Sequence, residues 1–213
     1  MKSLGFLSLL QSSPLAFVLL MVGLLESIAL HELAHAVVAD LQGDRLPRAM
    51  GRVTLNPLRH LDPMGTVLIV LAGFGWGKPV EFRPSALASR RFGAAMVAVA
   101  GPLTNFILAT AAAFPLVARF NSHDFSSPVT VFLEYFVSVN ALLAIFNLLP
   151  LPPLDGSRLL TIFLPPNRQN VIYFLDKWGF LILIGLVFLG GTAVLQPVQD
   201  HLVGWMLRFA GGG

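Results

Sequence analysis

PLAFVLLMVGLLESIALHELAHAVVAD, residues 14–40, is the stretch that decides the fold. About 20 residues of apolar helix cross the hydrocarbon of a bilayer, so this run is long enough to span. Pro14 suits a first helical turn, and Gln42-Gly43-Asp44 supplies a stop. Yet its last third holds His31, Glu32 and His35. Ionisable groups at membrane depth are expensive and mark a functional site by default.

The rest of the chain agrees with a lipid setting. Of 213 residues, 55% are hydrophobic and only 12% charged, where a soluble domain carries roughly 25% charged residues. Mean hydropathy is +0.76. The net charge of +3 is small. Its basic residues fall in loops, not in a stripe with interleaved aromatics, which argues against nucleic acid as a partner. The chain has no cysteine, so disulfides and thiolate metal sites are excluded and the compartment stays open. No cleavable signal is expected in residues 1–11, which lack a small-residue cleavage site.

Further along, the expected elements are these. Residues 41–62 form a polar interval in which GRVTLNP alternates like a short strand ended by Asn56-Pro57. Residues 63–76 are apolar but too short to span, and Gly65, Gly73 and Gly75 suggest a re-entrant hairpin covered by protein. A second polar interval, 77–91, precedes a second span over 92–117, rich in the small residues that let helices approach closely in lipid. A third span covers 129–149 and is broken by PLPPLDG; 157–164 resumes a helix, and a fourth span covers 170–195. Residues 196–210 are too short to cross and read as an interfacial helix. The fold class is therefore an all-α polytopic membrane protein with about four transmembrane helices, a short β-strand and re-entrant element, and a C-terminal interfacial helix. It forms one integral-membrane domain over 1–213, with its core over about 14–164 and C-terminal helices over about 170–210.

Orientation follows from the loops. Arg45, Arg48, Arg52, Arg59, Lys78, Arg83, Arg90, Arg91, Arg158 and Arg168 fall on one side, against Lys2, Arg119 and Arg208 on the other. The positive-inside rule makes the first side cytoplasmic. The N-terminus is then outside, and the histidines lie toward the cytoplasmic face of the cell membrane.

His31 and His35 are four residues apart and share a helix face. H-E-x-x-H on a helix is the signature of a zinc metalloprotease: two imidazoles bind the metal and the glutamate acts as general base. The alternative is a pair of histidines satisfied by helix packing. A catalytic zinc takes three protein ligands and keeps one position open. His60, His123 and His201 are the remaining histidines; the last two fall on the far side of this topology. Asp155, at the cytoplasmic end of the third span and level with the HExxH pair, suits the charge of such a site. It can equally be read as a cap at a proline-rich helix exit. Asn140 and Asn147 share a helix face, where Asn140 would hydrogen-bond between helices. Glu26 reads as a packing group off the metal face, and Lys78 as a snorkelling charge.

HELAHA, then GPLTN in a middle span, then NLLPLPPLDG, in this order over about residues 28–160, resemble the site-2 protease family of intramembrane zinc metalloproteases. GRVTLNPLRHLDPMGT and GFGWGKPV resemble its short prokaryotic members. The resemblance implies one Zn2+ per chain held by His31, His35 and Asp155, with Glu32 as catalytic base. It further implies that Asn147 and Asn105 orient the substrate or the site, or that Asn105 stabilises an oxyanion. The substrate would be a transmembrane segment of another protein, cut within the bilayer near its cytoplasmic face. No inserted PDZ domain and no C-terminal nucleotide-sensing domain is expected. GRVTLN and the glycine-rich hairpin would offer an edge to which an extended substrate adds. Two other readings compete: an inactive relative that binds membrane proteins, and a membrane zinc-binding or transport protein.

Overall fold

In the computed structural model, residues 5–73, 75–163, 169–186 and 192–211 are described. A short helix, α1 (Gly5–Ser12), leads into α2 (Pro14–Leu41), whose first turn opens on Pro14 as expected. The first polar interval holds α3 (Leu46–Ala49) and a 3-10 turn (Pro57–Arg59). It ends at α4 (Pro63–Ala72), which Asp62 caps by accepting from the Gly65 amide. Gly73, with φ of 71°, closes α4 in the left-handed region that a side chain disfavours. Two long helices follow, α5 (Arg90–Asn121) and α6 (Pro128–Asn147), the latter capped by Ser127. The chain ends in α7 (Gly156–Phe163), α8 (Gln169–Leu186) and α9 (Thr192–Phe209).

Among the described residues, α2, α5 and α6 are the helices long and apolar enough to cross a membrane. The fourth span expected over 170–195 is not among them. Gln169, Asn170, Asp176 and Lys177 make the first half of α8 polar, and 187–191 lie outside the described residues. The loop expected between α7 and α8 falls largely on 164–168, also outside them. The C-terminal segment differs too. α9 begins earlier than the expected interfacial helix and buries Met206 completely against Ala109, Ala113 and Ala141 of α5 and α6. Gln199 Nε2 donates to Ser138 O and Oγ of α6, at 3.0 and 2.9 Å. An apolar stripe with a polar tie to a neighbour docks the helix on the bundle.

Small residues bring the three spanning helices together. Ala36 and Ala39 of α2, Ala98, Ala109 and Ala113 of α5, and Ala141 of α6 are all buried, as close packing in lipid requires. A polar lacing crosses the same seam. Asn140 Nδ2 donates to Ser27 Oγ (2.7 Å), and Asn105 Nδ2 donates to Asn140 Oδ1 (2.8 Å) and Ser27 O (3.3 Å). The interhelical role expected of Asn140 is thus what the fold shows.

The expected strand does not form. Among the described residues the only extended pairing is an isolated antiparallel bridge, Leu61 to Gly77. GRVTLNP turns instead: the Arg52 amide is taken by Pro47 O, and Asn56 caps the 3-10 turn at Pro57. A ladder needs those amides free. The apolar hairpin is helix α4 with a returning chain, held so closely that a Cβ on Gly65 would lie 2.1 Å from Trp76 O.

The two polar intervals close into one cap through Asp44, which is fully buried. It accepts from the Leu46 amide and from Arg83 through N, Nε and Nη2, at 3.1, 2.5, 3.1 and 2.7 Å. Burial opposes its charge, but these hydrogen bonds outweigh it and hold the carboxyl below its ordinary range. Such a group stabilises the fold above its unfolded value, near 3.9. That stability is lost as pH falls through the lower, folded value. Asp44→Asn is expected to cost about 1–3 kcal/mol at pH 7, read as detergent melting curves. The gap to the wild type should narrow progressively between about pH 5 and pH 2; a gap that holds constant across that range refutes the clasp.

Candidate metal centre

His31 and His35 sit on one face of α2, both 6% exposed. His31 lies ten residues from Leu41, about 15 Å at the rise of an α-helix. Their rings meet edge to face, with centroids 4.6 Å apart. Each ring is held by its Nδ1. His31 Nδ1 lies 2.5 Å from Asn105 Oδ1, and His35 Nδ1 lies 2.6 Å from Val97 O, both acceptors on α5. The Asn105 amide is already donating to Ser27 and Asn140, which fixes its oxygen toward His31. Both Nδ1 atoms therefore carry a proton, and in the neutral rings both Nε2 atoms present a lone pair.

Those lone pairs converge on Asp155. PLPPLDG turns the chain back at the end of α6. Gly156 makes that return possible, since a Cβ there would lie 2.2 Å from Leu148 O and 2.4 Å from Leu149 O. Asp155 Oδ2 then reaches 3.0 Å from His31 Nε2 and 3.3 Å from His35 Nε2. With both Nε2 atoms unprotonated, two nitrogens and a carboxylate oxygen at such separations repel one another unless a proton or a metal cation lies among them. The spacing also suits one. Ligands about 2.1 Å from a tetrahedral centre stand about 3.4 Å from each other. Among the described residues this is the one group of three His, Cys, Asp or Glu side chains with its donor atoms mutually within 4.8 Å. Nitrogen and carboxylate donors fit zinc.

α5 makes room for the cluster at a single position. A Cβ on Gly101 would fall 2.5 Å from both Nε2 atoms. Gly101 and Asn105 are four apart in AGPLTN and share a helix face. One leaves the space and the other fixes the ring.

The other candidates are placed as follows. Glu32 is largely buried, its Oε2 without a hydrogen-bond partner and 3.8 Å from Arg52 Nη2. Asn105 is buried completely and all its hydrogen bonds go to His31, Ser27 and Asn140, so it supports the site from behind. Asn147 is half-buried at the end of α6, where Nδ2 donates to Leu143 O at 3.0 Å. His60 is buried in the cap with Nε2 against Thr54 O (2.8 Å), and burial pushes its imidazole below the ordinary range. His60, His123, His201 and Glu26 do not join the cluster. The sequence reading missed Gly101, Val97 and the buried Arg52. Only Gly101 carried a signal, through its spacing from Asn105.

A bundle of helices apolar enough to cross a membrane, with an HExxH helix and a facing carboxylate whose donor atoms could hold a metal ion, has the form of a membrane metal site. The profile described as Peptidase family M50 matches residues 19–122 and 117–189, and the chain belongs to that family, the site-2 proteases. It is 38% identical over 188 residues to the Bacillus subtilis protein named "Putative zinc metalloprotease YwhC", covering 85% of each chain. It is 34% identical over 202 residues to "Putative zinc metalloprotease Rip2" of Mycolicibacterium smegmatis, covering 92% of this chain and 75% of the other. Rip2 of Mycobacterium tuberculosis H37Rv is 31% identical with the same coverage. No solved structure matches at significance.

Two substitutions probe the centre without touching a donor atom. Asn105→Ala should weaken zinc binding about 10–100-fold, read by chelator competition. Gly101→Ala should leave purified protein essentially free of zinc by elemental analysis; zinc at one per chain would show that the cluster is not where the metal sits.

Proposed function

We propose that this protein is an intramembrane zinc endopeptidase that hydrolyses peptide bonds within membrane-spanning segments of other proteins. The single observation that carries the reading is the convergence of His31 Nε2, His35 Nε2 and Asp155 Oδ2 beside Glu32, inside a bundle of apolar helices. Membership of the site-2 protease family and relatives named as zinc metalloproteases support it.

His31, His35 and Asp155 would hold one Zn2+. Bound zinc would supply a Lewis acid and lower the pKa of a coordinated water to about 7. Glu32, adjacent in sequence to one ligand, is the general base: its free Oε2 takes a proton from water and returns it to the leaving amine. Asn105 and Val97 O keep the two imidazoles in the tautomer that can ligate. Asn147, at the end of α6 shortly before the PLPPLDG turn, is assigned to substrate positioning on the family pattern. A peptide bond in a spanning helix is already hydrogen-bonded, so the substrate must unwind before it is cut. The excess of Lys and Arg in the loops on one side supports an active centre toward the cytoplasm and an N-terminus on the opposite side.

The test uses purified protein in detergent with tagged single-span proteins, with and without chelator, and mass spectrometry of the products. Cleavage should occur inside the span and stop with chelator. Glu32→Gln should retain zinc and lose at least about 100-fold in rate. A Glu32→Gln protein that cleaves normally overturns the assignment. Wild-type protein that binds zinc and cleaves none of the substrates favours a binding relative.

A further inference from the structure

Among the described residues, the buried side-chain polar atoms without a hydrogen-bond partner are Glu32 Oε2, Arg52 Nε, Arg52 Nη1 and His60 Nδ1. They gather where the cap packs on the body of α2, around Glu32. Arg52, from the turn that replaces the expected strand, is only 3% exposed in its side chain. Its Nη2 donates to the Lys78 carbonyl and stands 3.8 Å from Glu32 Oε2. Gly77 closes the same space, since a Cβ on it would come 2.7 Å from Ile28 Cγ2 and 3.4 Å from Glu32 Cγ. Glu32 is thus enclosed by its own helix, by the returning chain at Gly77 and by a guanidinium.

A guanidinium cannot shed its charge in a protein, and burying an uncompensated charge is costly. Fastening the Lys78 carbonyl needs only a neutral donor. The carboxylates whose charge bears on Arg52 are Glu32 and Glu81, and Glu32 is the one in ion-pair range. At 3.8 Å the contact exceeds a hydrogen bond. It steers the carboxylate by charge while leaving free the lone pairs that a base uses.

We propose that Arg52 is a positioning residue for Glu32, holding its carboxylate from the cap side in one orientation beside the metal cluster. Only the kinetic arm of the test rests on the reading of Glu32 as general base. The cycle of Arg52→Gln, Glu32→Gln and the double variant is measured first as melting of the zinc-free protein. Arg52→Gln alone should lower Tm by roughly 5–10 °C, because it strands a buried carboxylate. In the Glu32→Gln background the same change should cost less than half as much. Equal cost in both backgrounds means that Arg52 merely props the Lys78 carbonyl, and the proposal fails. This arm reads out even if the chain cleaves nothing.

In the kinetic arm, zinc-loaded Arg52→Gln should lose about 100-fold in kcat, with KM within about twofold and zinc content unchanged. Arg52→Lys, which keeps the charge, should recover to within about tenfold of wild type. A loss confined to KM, or no rescue by lysine, overturns the assignment. If Arg52→Gln does not accumulate as folded protein, Arg52→Lys and Arg52→Met carry the comparison: lysine should retain the thermal coupling to Glu32, and loss of coupling in both variants alike overturns the proposal.

Discussion

Three lone-pair donors brought within about hydrogen-bond distance of each other in an apolar medium form the constraint on which the structure depends. In the neutral, Nδ1-protonated form the two imidazoles offer no hydrogen to Asp155, and a proton on Nε2 or a metal cation is what makes the contact attractive. The fold holds them from outside. Asn105 and Val97 O fix the rings from α5, and the bend after α6 drives Asp155 back toward α2. A metal cation among the three donors would strengthen the arrangement, and its binding would then be coupled to folding.

The support for this constraint reaches well beyond the donors. Asn105 can present its oxygen to His31 only because Ser27 and Asn140 occupy its amide. Asn140 is itself held by Ser27 Oγ and Phe136 O. One continuous lacing therefore ties the ring of His31 to the seam among the three spanning helices. In hydrocarbon a loose member of such a network would leave a polar group without water, so the network acts as a unit. The alanine stripe of α5 brings the helices close enough for it, and Gly101 interrupts that stripe where even a methyl group would collide with the imidazoles.

The cap contributes the second layer. Asp44 and Arg83 join the two polar intervals, and the joined cap lowers Arg52 and Gly77 over Glu32. On this reading the basic loops of the two polar intervals also complete the centre. One of their cations is buried inside the protein, not displayed to the membrane surface.

The sequence by itself determined the bundle of apolar helices, the HExxH pair on one face and the separate entry of Asp155 at a helix break. Those features live in composition, in the i, i+4 period and in short motifs, all of which are local. It misjudged GRVTLNP, because alternation is also compatible with a turn: Pro47 O takes the Arg52 amide at one end, and Asn56 starts a 3-10 turn at the other. It left undetermined which face of the bundle α9 packs against, since no local pattern announces that surface. Only the tertiary structure decided that Arg52 lies against Glu32 and that Asn105 faces His31, 74 positions away in the chain. Their roles depend on which side chains the folded backbone brings together across long separations, and residue spacing along one helix or loop carries no record of that.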